Sequence, residues 1–452
     1  MIIINKYINK HKFKLQNVNK PNLFREIFPY TKIPKIYFDN TVTKINIPDQ
    51  IWITDSTFRD GQQAMDPLTV RQIVQLYKYL HKLGGPNGMI RQSEFFLYSE
   101  KDRKAVDECR KLGYEFPQVT SWIRATKNDF KLVKEIELKE TGILTSCSDY
   151  HIFLKLKKTR KEAMNMYLNI VKLALSKDIV PRCHFEDITR ADFYGFVIPF
   201  AIELMKLSHE SKIPIKISAC DTLGFAVDYP GASMPRSING IMYGLTQYAG
   251  VPSEYIEWHG HNDFYRALTN SISAWLHGCA GVNGTLLGVG ERTGNTPVEA
   301  LAIEYTAIKG TTNGMDLSII TEIAQYFKDN LKYNIPLNQP FVGPNFNVTK
   351  AGIHADGLLK EQEIYNIFDT DAILNRAPEV LINDRAGLAG ITYWYNTQLP
   401  KLKKSQNKLD KNDLSIIKIK KEIDELYENG KVNCLSRNEM LKLAKKYLKK
   451  YI

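Results

Sequence analysis

Two short runs carry residue types whose spacing suits metal-assisted chemistry: Asp55-Ser56-Thr57-Phe58-Arg59-Asp60-Gly61-Gln62-Gln63 and His259-Gly260-His261-Asn262-Asp263. In the second, two histidines stand two apart after an apolar stretch. On a strand, whose side chains alternate with a period of two, both imidazoles point the same way. Two such histidines make half of a divalent-metal site, and a carboxylate from another strand end completes it. Asp60 is the carboxylate chosen here, with Arg59 beside it as a fixed cation for a negatively charged reacting oxygen. A chance His-x-His is common in a long chain. Here both runs follow strand-like segments, and a glycine-rich run, Gly288 to Asn295, lies downstream.

The elements needed to bring these runs together recur through the body of the chain. Short β-rich segments are expected at Ile51–Thr54, Ile90–Leu97, Gln118–Ile123, Thr141–Thr145, Val180–Phe185, Ile213–Ala219, Tyr255–His259 and Gly284–Leu287. Amphipathic, helix-like stretches lie between them, including Thr69–Leu83, Ser99–Leu112, Asn128–Ile136, Thr159–Ser176 and Phe193–Ser208. Strands alternating with helices imply parallel βα units. Eight such units predict an α/β fold, a closed (β/α)8 barrel, whose chemistry sits at the carboxyl ends of its strands.

The unusual residues fall at those ends. Arg59 and Asp60 follow the first strand, Glu94 lies in the second, Arg124 ends the third and His151 follows the fourth. His184 and Glu186 end the fifth, Asp221 and Thr222 the sixth, His259 and His261 the seventh, and Glu291 and Asn295 follow the eighth. Simple helix capping accounts for Asp221 or Ser93 but poorly for the histidines and Arg59.

At 452 residues, with 44% hydrophobic and 24% charged residues, the chain has a globular composition. No apolar run is long enough to span a bilayer, and the first residues lack the order of a secretory signal, so a cytoplasmic location is expected. The six cysteines are scattered without a CxxC pair, which fits a reduced compartment and buried small residues rather than nucleophiles. The net charge of +12 is uneven: residues 1–50 carry +6, residues 401–452 carry +8, and the remainder sums to −2. Basicity confined to the ends, without interleaved aromatics, argues against a nucleic-acid partner. The expected organisation is an N-terminal extension (1–47), a barrel (48–333), a Pro/Gly/Asn-rich linker with a lid segment (334–400) and a Lys-rich helical tail (401–452). His354 lies in the third part, within Ala351-Gly352-Ile353-His354-Ala355-Asp356-Gly357. A lone histidine outside the barrel is usually a surface or capping residue, with a catalytic role the rarer reading.

Four of these runs, in order, resemble the metal-dependent acyltransferases that include 2-isopropylmalate, homocitrate and citramalate synthases, which share a barrel scaffold with hydroxymethylglutaryl-CoA lyase. The family's D-x-T-x-R-[DE]-G-x-Q is met by Asp55 to Gln63, its H-x-H-N-D by His259 to Asp263, its G-x-G-E-R-x-G-N by Gly288 to Asn295, and its A-G-I-H-x-D-G by Ala351 to Gly357. Further runs, Ile90 to Tyr98 and Cys183 to Asp187, look like a citrate-forming offshoot. The chain departs from the common pattern at Phe58, at Gln62 and at Tyr265, where a glycine is usual.

The resemblance implies a Claisen condensation of acetyl-CoA with a 2-oxo acid, followed by thioester hydrolysis, in a homodimer with shared active sites. It implies a divalent metal held by Asp60, His259 and His261 with Asn295 as a further ligand. Mn²⁺ is favoured, with Mg²⁺, Co²⁺ or Zn²⁺ as alternatives. Arg59 would stabilise the developing alkoxide, and Gln63, Glu94, Arg124, His151, His184 and Thr222 would bind substrate. His354, with Glu186 as its partner, would be the base. The residues aligned with the specificity pocket, His151, His184, Ser218 and Cys220, are polar, and Arg91 and Arg190 lie nearby in sequence. A second carboxylate requires such donors when buried, so oxaloacetate is the expected acid. Homocitrate synthesis from 2-oxoglutarate, synthase activity on 2-oxoisovalerate or pyruvate, a lyase, and a silent barrel acting as a scaffold are the alternatives.

Overall fold

The expected strand–helix alternation resolves, in a computed structural model describing residues 13–28, 36–403 and 408–451, into eight parallel strands closed as a barrel in chain order. They are β1 (Trp52–Asp55), β2 (Ile90–Phe95), β3 (Gln118–Arg124), β4 (Glu140–Leu144), β5 (Val180–Glu186), β6 (Lys216–Asp221), β7 (Ile256–Gly260) and β8 (Gly281–Gly284). β1 pairs with β8 from Trp52–Gly281 to Asp55–Gly284, which closes the cylinder. Two strand expectations need correction. β6 starts at Lys216, because Ile213 and Ile215 are held in a turn by Ser208 and Ser211. β8 lies three residues before the expected Gly284–Leu287. Leu286 and Leu287, whose apolarity suggested strand, are buried in a 3-10 turn, with Leu287 at φ +55°.

The helices pack outside this cylinder for local reasons visible in the chain. In α1 (Val70–Gly84), Thr69 and Gln72 form a reciprocal capping box. Ile73, Leu76, Leu80 and Leu83 recur at helical spacing and are buried. Each such side chain contributes about 1.5–3 kcal/mol by leaving water. α2 (Glu100–Arg110) and α4 (Arg160–Leu175) start with the same device, at Ser99 and Thr159. α3 (Lys127–Glu135) is capped by Thr126 alone. The stretch expected from Phe193 begins instead as a π turn to Val197, and α5 (Ile198–Ser211) follows. α6 (Ile238–Tyr243), α7 (Ala267–Leu276) and α8 (Val298–Lys309) complete the ring.

The barrel interior is polar where branched apolar layers are usual. Arg182 of β5 is buried at its centre, 2.8 Å from Glu94 Oε1, 3.3 Å from Glu257 Oε2 and 2.9 Å from Gln92 Oε1. A buried cation is tolerable when its donors meet several acceptors in this way.

Other buried carboxylates lack a cation. Burial pushes Glu299 up to about 7, and Asp55 and Asp221 up to about 6. The folded chain therefore holds protons that the unfolded chain releases, so stability present below about pH 4.5 is lost as pH rises through 7. Glu299→Gln, still able to accept from the Leu287 N–H, removes one such contribution. Its stability relative to the parent should rise by roughly 2 kcal/mol between pH 5 and pH 8. Thermal melts at the two pH values check this, and an unchanged difference contradicts it.

The chain divides into two compact units between Asp316 and Leu317. The second unit contains α9 (Ile319–Asp329), which precedes the expected 333/334 boundary. The density of proline, glycine and asparagine after Asn334 marks an irregular segment inside the unit rather than its edge. A two-stranded parallel sheet joins β9 (Val348–Thr349) to β10 (Glu379–Val380), with α10 (Gly352–Lys360) between them. α11 (Gly387–Gln398), α12 (Leu414–Glu428) and α13 (Arg437–Tyr447) follow. The Lys-rich end is helical as expected, and it is packed. Ile416, Ile419, Ile423, Met440 and Leu443 share one apolar core with Trp394 and Tyr395. No described helix is long and apolar enough to cross a membrane.

Candidate active site and metal centre

β7 ends Glu257-Trp258-His259-Gly260, and the two-residue alternation puts Glu257 and His259 on the inner face. His261 follows in an isolated bridge to Asn295. Asp60 comes from the loop after β1. Asp60, His259 and His261 are all buried, each offers one ligand atom, and the three atoms lie within 4.8 Å of one another. Among the described residues this is the one such group. Both Nε2 atoms converge on Asp60 Oδ2, at 3.3 Å and 3.5 Å, and lie 3.3 Å from each other.

The surroundings set these groups in ligand form. His259 Nδ1 sits 2.8 Å from Asn283 Oδ1. Asn283 Nδ2 donates to Thr54 Oγ1, which fixes the amide so that its oxygen faces the ring. The proton of His259 is therefore on Nδ1, and the Nε2 lone pair is free for a cation. Burial, only partly offset by Asp60, pulls His261 down to about 4, so it is neutral. Burial alone would raise Asp60, but the Arg59 guanidinium beside it holds it well below the carboxylate range. Asn295 donates to Asp60 Oδ2 at 2.6 Å, while its Oδ1 and His261 Nδ1 are buried without hydrogen-bond partners. Gly290 leaves room for that oxygen, since a Cβ there would stand 1.7 Å from it. One carboxylate, two imidazoles and an orphaned amide oxygen fit a divalent cation.

Arg59 is locked beside this centre. Its Nη1 is 3.1 Å from Asp60 Oδ1, its Nε donates to Glu94 Oε2 at 2.7 Å, and its guanidinium lies 5.4 Å over Trp122. Burial opposes its charge, yet Asp60 and Glu94 raise its pKa above the usual value. Glu94 also meets Arg182, and its Oε1 is 3.2 Å from His184 Nε2. Burial lowers the His184 pKa, so that imidazole is neutral.

A cavity of about 300 Å³ opens over these residues. Arg59, Asp60, Gln63, His184, Glu186, Thr222, His259 and His261 line it, together with Trp122, Leu144, Lys155, Cys220, Glu291 and Arg292. Its volume suits a small organic molecule. Glu186 is held down to about 2: burial opposes this, but His151, Ser146 and Lys155 favour the ion. His151 lies 2.9 Å from Glu186 Oε2 and 3.6 Å from Asp187 Oδ2 and stands behind the lining. Thr222 Oγ1 accepts from the Asp187 N–H at 2.8 Å.

Several expected substrate contacts are placed elsewhere. Arg124 is not at the cavity. It forms a two-pronged pair with Asp129, at 2.8 and 2.9 Å, over the start of α3. The side chain ending β3 points outward there, and Asp129 captures it. Glu94 is beneath the floor, orienting Arg59 and His184 rather than lining the cavity. Arg91 stacks 4.4 Å over Trp52, Arg190 pairs with Asp187 at 2.8 Å, and Ser218 donates to Glu257. His354 is solvent-exposed on α10 of the second unit, with Nδ1 3.4 Å from Thr349 Oγ1 and its ring 4.5 Å from Tyr365.

Asn283, Arg182 and Lys155 were not singled out from sequence. Arg182 shares the inward face of β5 with His184 and Glu186 by simple alternation, a signal that was available. Asn283 lies in the β8 segment assigned three residues too late. Tyr265, at φ +58° and 95% exposed, explains the glycine usual at that position in the family pattern: the backbone is left-handed there, a strained state for a bulky residue.

Asn283→Ala should weaken divalent-metal binding by about 10- to 100-fold through loss of the His259 partner. Calorimetric titration of the metal-free chain checks this, and an unaltered affinity contradicts it.

An aspartate and two histidines at the carboxyl mouth of an eight-stranded βα barrel, beside an anchored arginine, define a barrel enzyme of the divalent-metal class. Known proteins place it more narrowly: the chain belongs to the HMGL-like family, whose match covers residues 50–327. It is 56% identical to the citrate (Re)-synthase of Clostridium kluyveri over 98% of this chain and 97% of that protein. It is 54% identical to the citrate (Re)-synthase of Syntrophus aciditrophicus over 97% of this chain and 69% of that one. The 2-phosphinomethylmalate synthase of Streptomyces hygroscopicus is 33% identical over 96% of this chain and 98% of its own length. Among solved structures, the HMG-CoA lyase of Bacillus subtilis shares the fold with a TM-score of 0.51 and 18% identity, covering 65% of this chain and 98% of that one.

Proposed function

We propose that this chain performs the reaction for which its citrate (Re)-synthase relatives are named: acetyl-CoA, oxaloacetate and water give citrate and CoA. The observation that carries the proposal is the buried Asp60–His259–His261 cluster with Arg59 locked against it. Asp60, His259 and His261, with Asn295, would hold a divalent ion, Mn²⁺ favoured, which would supply Lewis-acid polarisation of the substrate carbonyl.

The acetyl methyl loses a proton to a base, and its carbon bonds to the keto carbon. Negative charge then grows on the former keto oxygen. Arg59, fixed by Glu94 and Asp60, needs no reorganisation to meet that charge, and such preorganised donors favour the transition state over the ground state. The oxygen takes up a proton, and water cleaves the thioester to release the thiol. The base in this proposal is His354, whose segment resembles the condensing synthases, with Glu186 as its partner. Thr222 and Gln63, both on the lining, hold substrate oxygens. A cytoplasmic homodimer with shared active sites completes the proposal.

Thiol release by chain loaded with Mn²⁺ should be fastest with oxaloacetate among oxaloacetate, 2-oxoglutarate, 2-oxoisovalerate and pyruvate. Preference for any other acid overturns the substrate assignment.

A further inference from the structure

Oxaloacetate carries a second carboxylate, and the arginines expected from sequence to receive it, Arg91 and Arg190, are engaged elsewhere. The cavity is lined by three permanent cations: Arg59, Arg292 and Lys155. Arg59 is taken up by Asp60 and Glu94. Arg292 makes two bonds to Asp263, at 2.7 and 3.1 Å, and a third to the Thr222 carbonyl.

Lys155 differs. Its ammonium has three donors, and its contacts are long: 3.2 and 3.3 Å to the Glu186 oxygens and 3.4 Å to His151 Nδ1. Its side chain is 50% exposed, so the pair with Glu186 is weak and open to exchange. It ends a π turn, Tyr150–Lys155, after β4, and such turns cluster at functional sites. The base of that turn is pinned, because Arg160 makes two 2.8 Å bonds to Asp149. A pinned base and a long flexible stem let the ammonium reach into the cavity beside Leu144.

Resting on the citrate-forming reading, we infer that Lys155 is the specificity-determining residue that binds the second carboxylate of the 2-oxo acid. Glu186 lies 3.2 Å from its ammonium, so a substrate carboxylate completes a three-member charge-assisted cluster.

The test compares the parent, Lys155→Met and Lys155→Arg, all loaded with Mn²⁺. Lys155→Met should raise the KM for oxaloacetate about 10- to 100-fold, with a smaller loss of kcat, and Lys155→Arg should restore most of it. Two inhibitors share the 2-hydroxy-acid end, and only one has a second carboxylate. Inhibition by malate should weaken by the same factor as oxaloacetate binding, and inhibition by lactate should not. Unchanged KM, or equal weakening of malate and lactate, overturns the inference. A parent that releases no thiol with oxaloacetate sinks the proposed function instead, whereas equal use of oxaloacetate by parent and Lys155→Met sinks the Lys155 role alone.

Discussion

Arg59→Gln should lower kcat by about 10²- to 10³-fold while changing the KM for oxaloacetate much less. The reason lies in when the arginine is needed. Before reaction the substrate's keto oxygen is neutral, and Arg59 already has two anionic partners in Asp60 Oδ1 and Glu94 Oε2. Charge reaches that oxygen only as the new carbon–carbon bond forms, so the interaction appears in kcat. Glutamine keeps a donor but no charge. Glu94 would still meet Arg182 at 2.8 Å, so the substitution need not strand a buried anion, and the fold should persist. Steady-state kinetics with a parallel melt separate the two effects. A KM increase with intact kcat would mean that Arg59 merely binds substrate.

Asp60→Asn should abolish both metal retention and thiol release, with activity falling by on the order of 10³-fold or more. The aspartate is the one carboxylate among the three convergent ligand atoms. It also accepts from Asn295 and pairs with Arg59. An amide there removes the negative charge that balances the cation and leaves Arg59 beside a neutral group. Because Arg59 keeps Glu94, the loss should be larger in metal content than in melting temperature. Elemental analysis after dialysis reads the metal directly. Full occupancy in Asp60→Asn would remove the aspartate from the centre.

Much of this site was legible from alternation alone. His259 and His261 were recognisable as a pair because a strand precedes them, and Asp60 and Arg59 because they follow β1. The same rule misled where a strand ends. Arg124 closes β3 on the outward side, and nothing in its local sequence says that Asp129, five residues later, captures it. β8 was displaced because Leu286 and Leu287 look like strand, while two of its four residues are glycine. Gly281 could not be larger without change, since a Cβ there would stand 3.0 Å from Trp52 Nε1. Lys155 was invisible for another reason. It lies eleven residues past the end of β4, in a π turn whose wide register has no simple sequence period. The lysine-rich end was read correctly as helical, but its role in a shared core depends on Trp394 and Tyr395, far away in sequence.

The measurement that bears most directly on the whole account is citrate formation from acetyl-CoA and oxaloacetate as Mn²⁺ is titrated into chelator-stripped chain, with bound metal counted in the same samples. Stripped chain should form no citrate, and the rate should rise in proportion to bound ion, up to one per chain. Full citrate production by chain that retains no metal would contradict it.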